Sequence, residues 1–418
     1  MRPLIVVIAG VGLILAAILG WAVASGWLGG SSEPGATALA SPSPPVSPTP
    51  PSEVPTGGST ATTVATPAPA SRDGRPGPKA SGEPALLYSE FGEIEDTLWL
   101  APVAQLREPE ALATVDHAPF WGISASLSPD GQQVAYVVLP PAVANPEVAA
   151  DDQAEVWVQP ARGGERRFLA QNADVSVAPI WSPDGDVLVF QSFDRRRNRL
   201  TLFRASLRDA TVSVLSSIDD AIALPLAFSP ESDWFYVAQT SEEGTELLAI
   251  DTADGSVETL TKVAGDIARG WRLSPDGLGI AFVSRISGRE WGLHIASLVD
   301  GTVLRLESPA VPSGRELFSP VWHPQQPLLT VGTEPDDGGG VINVPLSGQD
   351  GERLAGPDEG FDVPIAWAPN GDSLVVQQFS EYPPQRRPNL YLLTTSGERQ
   401  RLAEESEVTF IGWLGSAE

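Results

Sequence analysis

Trp181-Ser182-Pro183-Asp184-Gly185, followed by the apolar run Val187-Leu188-Val189-Phe190, is the stretch that decides the fold. Pro183 fixes φ at the first central position of a turn, Asp184 can bond its own backbone, and Gly185 adopts a positive φ without strain. The β-branched and aromatic residues that follow favour a strand. The stretch therefore predicts two strands joined by a tight turn.

The same turn recurs along the chain at nearly regular intervals. Copies lie at Leu127–Gly131, at Leu273–Gly277 and, with Ala368 and Asn370 in place of Ser and Asp, at Trp367–Gly371; shortened copies lie at Phe228–Glu231 and Trp322–Pro324. Successive turn prolines are 45 to 54 residues apart, a period typical of the four-stranded blade of a β-propeller. The repeats predict an all-β fold.

The ends of the repeat region add one blade to the six turns. Ala85–Ser89 has the pattern of a strand without a turn before it, and Glu407–Trp413 ends in Trp413-Leu414-Gly415 where other copies have Trp-Ser-Pro. We therefore expect the C-terminal strand to complete the N-terminal blade. This predicts a seven-bladed β-propeller closed by strand exchange, which hides the sheet edges. Six blades is the alternative.

The Trp/Leu-Ser-Pro-Asp-Gly repeats of residues 84–415 resemble those of TolB-like and WD40-like propellers and of the noncatalytic propellers of prolyl-oligopeptidase-type enzymes. The resemblance implies an extracytoplasmic binding scaffold. TolB-type propellers usually have six blades and follow an N-terminal α/β domain, so seven blades without such a domain depart from that pattern.

The sequence before the repeats divides into two segments. Residues 1–30 contain an uncharged apolar run, Leu4–Leu28, which is long enough to cross a bilayer as a helix. Residues 31–83 are rich in Pro, Ser, Thr, Ala and Gly, which predicts a disordered linker. We expect a single-pass signal anchor that places the propeller, residues 84–418, on the extracytoplasmic side of the cell membrane. Cleavage after Ala22-Val23-Ala24, which gives a secreted protein, is the alternative.

The amino-acid composition limits the classes of partner that the propeller can bind. The formal net charge is −27, which disfavours nucleic acid and anionic lipid as partners of the propeller. The chain has no cysteine, which excludes disulfides and thiol chemistry. We expect a monomeric propeller that binds a protein, a peptide or a component of the cell envelope, with the membrane contacted only through the N-terminal helix.

Acidic residues recur just before the strand that leads into each turn. In propellers of this kind that strand is innermost, so these carboxylates could form a ring at one mouth of the channel. Such a ring could hold Ca²⁺ or a cationic side chain, and otherwise we expect no cofactor. The alternative to a cation-binding ring is a chance alignment of solvated acidic residues in an acidic protein. The residues are Asp174, Asp220, Asp266, Glu316, Asp362 and Glu407, with Asp116 in the second blade.

Loops on the same predicted face carry the other candidates. Arg195, Arg196 and Arg197 form one basic loop, and Arg386 and Arg387 form another; long propeller loops often carry binding residues. His117, beside Asp116, is the histidine best placed to act as a base or ligand, against the ordinary alternative of a loop histidine.

No catalytic motif is recognisable. Gly-x-Ser-x-Gly and His-Glu-x-x-His are both absent. We therefore expect a noncatalytic scaffold. The alternatives are a Ca²⁺-dependent hydrolase or lyase of propeller type and a purely structural envelope protein.

Overall fold

Seven four-stranded antiparallel sheets account for the strands of the described chain. The computed structural model describes residues 84–219, 222–335, 339–354, 356–380, 388–403 and 407–415. Within them, the fold is all-β with seven blades, as the repeats predict, and the six-bladed alternative is wrong. Helical structure in these ranges is limited to α1 (Pro146–Ala149) and a 3-10 turn at Val103–Gln105.

Each sheet runs from an innermost to an outermost strand. The first contains β28 (Val408–Leu414), β1 (Ala85–Glu90), β2 (Glu95–Pro102) and β3 (Glu110–Asp116). The second contains β4 (Ile123–Leu127), β5 (Gln133–Val138), β6 (Ala154–Pro160) and β7 (Arg167–Ala173). The third contains β8 (Ile180–Trp181), β9 (Val187–Asp194), β10 (Arg199–Ser206) and β11 (Thr211–Asp219). The fourth contains β12 (Ile222–Phe228), β13 (Trp234–Ser241), β14 (Gly244–Asp251) and β15 (Val257–Ala264).

The remaining three sheets follow the same order. The fifth contains β16 (Ala268–Leu273), β17 (Gly279–Ser287), β18 (Glu290–Ser297) and β19 (Val303–Leu306). The sixth contains β20 (Leu317–Trp322), β21 (Leu328–Thr333), β22 (Ile342–Pro345) and β23 (Glu352–Arg353). The seventh contains β24 (Phe361–Trp367), β25 (Ser373–Phe379), β26 (Asn389–Thr394) and β27 (Arg399–Arg401).

The repeated turn is held by its serine as well as by its proline and glycine. Ser182 Oγ donates to Asp184 Oδ1 at 2.5 Å and accepts from the backbone N–H of Val187 at 3.0 Å. Gly185 has φ of 74°, which glycine adopts without a Cβ clash. The same two serine bonds recur in the turns that start at Ser128 and Ser274. The motif therefore stabilises both the turn and the start of the strand that follows it.

Strands from the two ends of the repeat region lie side by side in the first sheet. β28 pairs antiparallel with β1, so that Ala85 lies opposite Leu414 and Tyr88 lies opposite Phe410. Leu414 is 2% exposed and belongs to an apolar cluster that also contains Val134 of the second sheet. The C-terminal strand thus contributes to the core between two sheets.

The tryptophans before three of the turns join neighbouring sheets. Their indole N–H groups donate to the preceding sheet: Trp181 to Ser126 O at 3.3 Å, Trp322 to Arg272 O at 2.9 Å and Trp367 to Thr330 Oγ1 at 2.9 Å.

The predicted anchor (1–30) and linker (31–83) lie outside the described residues. Within the described part of the chain, no helix is long and apolar enough to span a membrane.

Candidate functional site

A cavity of about 380 Å³ lies where the innermost strands converge. Every one of the seven sheets contributes to its wall. The contributions include Ser126, Ile180, Leu226, Arg272, Phe318, Ile365 and Phe410. The cavity is therefore a product of the whole ring of sheets rather than of any single loop.

Two arginines of β16 line this cavity, and a bulge explains how both can do so. Arg269 and Arg272 are three residues apart, a spacing that places side chains on opposite faces of a regular strand. The register with β17 shifts between them, at Gly270 and Trp271, and bulges re-aim side chains in this way. Gly270 has φ of 70°, and a Cβ there would lie 2.9 Å from the Cα of Ser319. Glycine is thus required at the bulge.

The positive charge of Arg269 is balanced by neighbouring groups of the protein. Its Nη2 donates to Glu316 Oε1 and, at 3.2 Å, to Leu317 O. Its guanidinium also lies 4.1 Å from the ring centroid of Trp291 and 5.5 Å from that of Phe318. An ion pair with two cation–π contacts gives Arg269 a structural role between the fifth and sixth sheets.

Arg272 has no such compensation. Its Nη1 donates to Trp271 O at 2.9 Å, and no carboxylate among the described residues pairs with it. Burial lowers the pKa of its guanidinium from the usual value, although arginine stays charged in proteins. None of its guanidinium nitrogens is both enclosed and without a hydrogen-bond partner. The remaining N–H groups of Arg272 are therefore open to a molecule in the cavity.

The cavity wall differs from the rest of this acidic protein. Asp and Glu outnumber Lys and Arg by 53 to 26 in the chain, yet the described wall contains two arginines and no carboxylate. Apolar residues such as Trp271 and Phe410 dominate it. An apolar wall lowers the local dielectric constant and strengthens any charge interaction inside the cavity.

Gln377 of β25 adds an amide to this wall. Its Oε1 is enclosed and has no hydrogen-bond donor among the described residues. Because the side-chain amide can turn over, Gln377 can offer either a carbonyl oxygen or N–H groups. The cavity therefore combines an available cation, an amide and aromatic surface.

The acidic residues that the sequence analysis singled out are paired separately. Asp174 accepts hydrogen bonds from Ser176 Oγ at 2.6 Å and Gln191 Nε2 at 2.8 Å, and burial raises the pKa of its carboxyl. Asp266 pairs with Arg285 at 2.8 and 3.0 Å, and the hydrogen bond from Arg285 lowers the pKa of Asp266.

Two further acids are paired within the protein. Glu316 binds Arg269. Asp362 is buried and accepts two bonds from Arg399, at 2.6 and 2.9 Å. Burial raises the pKa of Asp362, and Arg399 offsets part of that effect.

The other members of the predicted ring are less enclosed. Asp116 and Glu407 are exposed, and the backbone oxygen of Glu407 accepts from Phe91 N at 2.8 Å. Asp220 lies outside the described residues. In the described ranges, no three His, Asp or Glu side chains lie close enough together to hold a metal ion. The acidic mouth as a binding face stays a prediction.

His117 is buried rather than displayed on a loop. Its Nε2 lies 3.1 Å from Asp96 Oδ1 and its Nδ1 lies 2.8 Å from Ala118 O. Burial lowers its pKa, but the hydrogen bonds to Asp96 and Ala118 and the charges of Asp96 and Asp116 outweigh burial and raise the pKa above 6.5. Both ring nitrogens face protein groups, so a ligand could bind His117 only by displacing one of them.

The basic loop at the end of β9 is partly neutralised. Arg195 Nη2 donates to Asp151 Oδ1 at 2.8 Å, and Arg197 Nε lies 3.8 Å from Asp194 Oδ2. Arg196 is exposed. The second basic loop, with Arg386 and Arg387, lies outside the described residues.

Sequence reasoning missed Arg272, although the repeats carry a signal for it. In each copy, the residue two positions before the turn serine, or before its replacement, occupies the same place on the innermost strand. Only Arg272 is charged there; the other six are Ser126, Ile180, Ala227, Val321, Ala366 and Gly412.

Neither a protein-family profile nor a curated protein matches the sequence. Solved structures do match. TolB from Acinetobacter baumannii is 19% identical, with 78% of this chain and 65% of that chain covered and a TM-score of 0.46. A prolyl endopeptidase is 12% identical, with 78% of this chain and 50% of that chain covered and a TM-score of 0.52.

The β-propeller domain of the Trilobed protease from Pyrococcus furiosus is 14% identical, with 77% of this chain and 98% of that domain covered and a TM-score of 0.51. The chain thus spans less than two thirds of the TolB and prolyl endopeptidase chains. For the fold alone, the prolyl endopeptidase and Trilobed protease matches confirm the resemblance to prolyl-oligopeptidase-type propellers that the repeats indicate.

Proposed function

We propose that this chain is a noncatalytic binding scaffold whose propeller holds a segment of a protein or peptide partner in its central cavity. The observation that carries the proposal is the cavity of about 380 Å³, to which all seven sheets contribute. Its volume lies within the roughly 300–1,000 Å³ of small ligand sites, which are mostly apolar with a few placed polar groups. Trp271, Phe318 and Phe410 supply the apolar surface, and Arg272 and Gln377 supply polar groups.

The proposal includes the arrangement at the membrane. Residues 1–30 remain attached as a single span, residues 31–83 act as a tether, and the propeller lies on the extracytoplasmic side. The apolar run Leu4–Leu28 supports the span. Pairing of β28 with β1 supports closure of the ring by strand exchange, which protects the sheet edges. A mature N-terminus at Ser25 in the membrane-free fraction would overturn the anchored arrangement.

Photocrosslinking of the full-length protein in its native membrane tests the scaffold function. Benzoylphenylalanine replaces Phe410, an aromatic residue of the cavity wall, and in a matched control it replaces Val299, which is 74% exposed outside the cavity. We expect mass spectrometry to find a discrete partner peptide joined at position 410 and absent at position 299.

Other outcomes separate the alternatives. Identical adducts at both positions indicate nonspecific contact and contradict the proposal. A purely structural protein gives no adduct at position 410. A propeller enzyme gives a converted small molecule rather than a retained peptide.

A further inference from the structure

We propose that the central cavity is a carboxylate-binding site in which Arg272 binds the carboxylate of an apolar peptide segment. The inference deepens the proposed function and rests on it. The two arginines of β16 provide the starting contrast, because the surroundings compensate Arg269 and leave Arg272 uncompensated.

An uncompensated guanidinium in an apolar cavity is costly for the folded protein. Burying a charge is unfavourable unless it is paired, and the pKa of Arg272 is lowered by burial with no opposing carboxylate. The other six sheets have uncharged residues at the same register position, so the fold does not require an arginine there. A bound anion supplies the missing compensation.

The number of available charges favours a carboxylate. A guanidinium and a carboxylate form two parallel hydrogen bonds and cancel each other's charge. Arg269, the other cation in the described wall, is already paired with Glu316. A phosphate dianion would therefore retain one uncompensated charge in an apolar cavity.

The rest of the wall suits a peptide. Trp271, Phe318 and Phe410 offer aromatic surface to apolar side chains. Gln377 also lines the cavity, and its side-chain amide can hydrogen-bond a peptide group. A free C-terminus and an Asp or Glu side chain carry the same carboxylate, and the experiment distinguishes these two sources.

Calorimetry with the full-length protein in detergent measures binding of three acetylated peptides of the sequence Ala-Phe-Ala-Phe-Ala. One has a free C-terminal carboxylate, one is amidated, and one is amidated with Glu in place of the central Ala. We expect at least one carboxylate peptide to bind at least about tenfold more tightly than the uncharged peptide, the usual scale of a charge-assisted hydrogen bond. Tight binding of only one of them identifies the source of the carboxylate.

Variants assign the effect to Arg272. Arg272→Gln should lose the preference for carboxylate, and Arg272→Lys should retain part of it because the charge remains. Arg305→Gln is the matched control, since Arg305 lies on β19 of the same sheet and its side chain is 43% exposed in an ion pair with Glu290. It should bind like the parent protein.

Several results overturn the inference. One is that the charged and uncharged peptides bind with equal affinity, and another is that neither carboxylate peptide binds. A third is that inorganic phosphate binds where the peptides do not. The last is that Arg272→Gln keeps the parental preference for carboxylate. Crosslinking at position 410 that persists with an unaltered partner in Arg272→Gln leaves the scaffold standing and removes the carboxylate site. Carboxylate selectivity in calorimetry without any crosslinked partner would support the carboxylate-binding site and contradict the proposed scaffold function.

Discussion

Asp96 Oδ1 lies 3.1 Å from His117 Nε2, and both residues are almost fully buried. Asp96 Oδ2 also accepts a hydrogen bond from the backbone N–H of Ile123 at 2.8 Å. The carboxylate therefore joins β2 and the residue after β3 in the first sheet to the first residue of β4 in the second. We therefore expect the packing of these two blades to depend on the protonation state of His117.

The stability of the protein should fall as the pH rises through the pKa of His117. That pKa is raised in the folded state: burial lowers it, but Asp96, Ala118 O and Asp116 outweigh burial. A raised pKa stabilises the fold fully below the unfolded value of about 6.5, and the contribution is lost as pH passes the folded value. We expect thermal unfolding in detergent to show this loss above about pH 6.5, and His117→Gln to remove it.

His294 provides the control for this experiment. Burial, with a smaller effect of the Arg305 charge, lowers the pKa of His294 to about 4. A lowered histidine pKa stabilises the fold above about 6.5 and the contribution is lost as pH falls toward the folded value. His294→Gln should therefore change stability on the acidic side and leave the slope above pH 6.5 intact. Parallel pH profiles for His117→Gln and the parent would contradict the charged Asp96–His117 pair.

The two arginines of β16 should respond to methionine in opposite directions. Arg272→Met removes an unpaired charge from an apolar cavity, so we expect the free energy of unfolding to rise by about 1 kcal/mol. Arg269→Met removes the ion pair that Arg269 forms with Glu316, whose side chain is 17% exposed. We expect this variant to lose about 3 kcal/mol. Denaturant titration of both variants in ligand-free protein measures the difference.

Losses of similar size at both positions would mean that Arg272 has a structural partner, and the case for its binding role would fail. A gain at position 272 together with weaker peptide binding would mean that the site exchanges stability for recognition.

The fold could be predicted from sequence because each turn signal is local. Pro183, Asp184 and Gly185 act within five residues, and the six copies together with the strand patterns at the two ends of the repeat region give the number of sheets. The cavity could not be predicted in this way. Arg269 and Arg272 both reach it because of a register shift in β16, and the sequence pattern of a regular strand places them on opposite faces.

The acidic residues illustrate the same limit. Their recurrence before the innermost strands is visible in the sequence, but their partners are set by tertiary contacts. Glu316 pairs with an arginine 47 residues away in the neighbouring sheet, and Asp362 pairs with Arg399 at a separation of 37 residues. Repeat spacing carries no information about such pairs, so it cannot distinguish a ring of carboxylates from acids that are paired separately.

Removal of residues 407–418 should destabilise the propeller severely. The deletion removes β28, exposes the edge of β1, and takes Leu414 out of the core between two sheets. An exposed strand edge promotes pairing with other molecules. We expect the protein that lacks only residues 407–418 to aggregate or to show a large fall in its thermal midpoint. A cooperative transition at the parental midpoint would show that β28 is dispensable.

Asp362→Asn and Asp266→Asn should separate paired acids from a repelling ring. Asp362 is fully buried and Arg399 is mostly enclosed, so neutralising Asp362 removes a buried ion pair; we expect a loss of about 3 kcal/mol. Asp266 is 45% exposed beside Arg285, and its loss should cost about 1 kcal/mol or less.

A ring of repelling carboxylates predicts the opposite sign, because removing either charge relieves repulsion and stabilises the protein. Thermal unfolding of the two variants with and without CaCl₂, beside matched NaCl, decides between the two accounts. Stabilisation by both substitutions, together with a calcium-specific shift that they abolish, would restore the acidic mouth as a cation site. Destabilisation by Asp362→Asn, with only general salt screening in every protein, would mean that these carboxylates hold the fold together rather than bind a ligand.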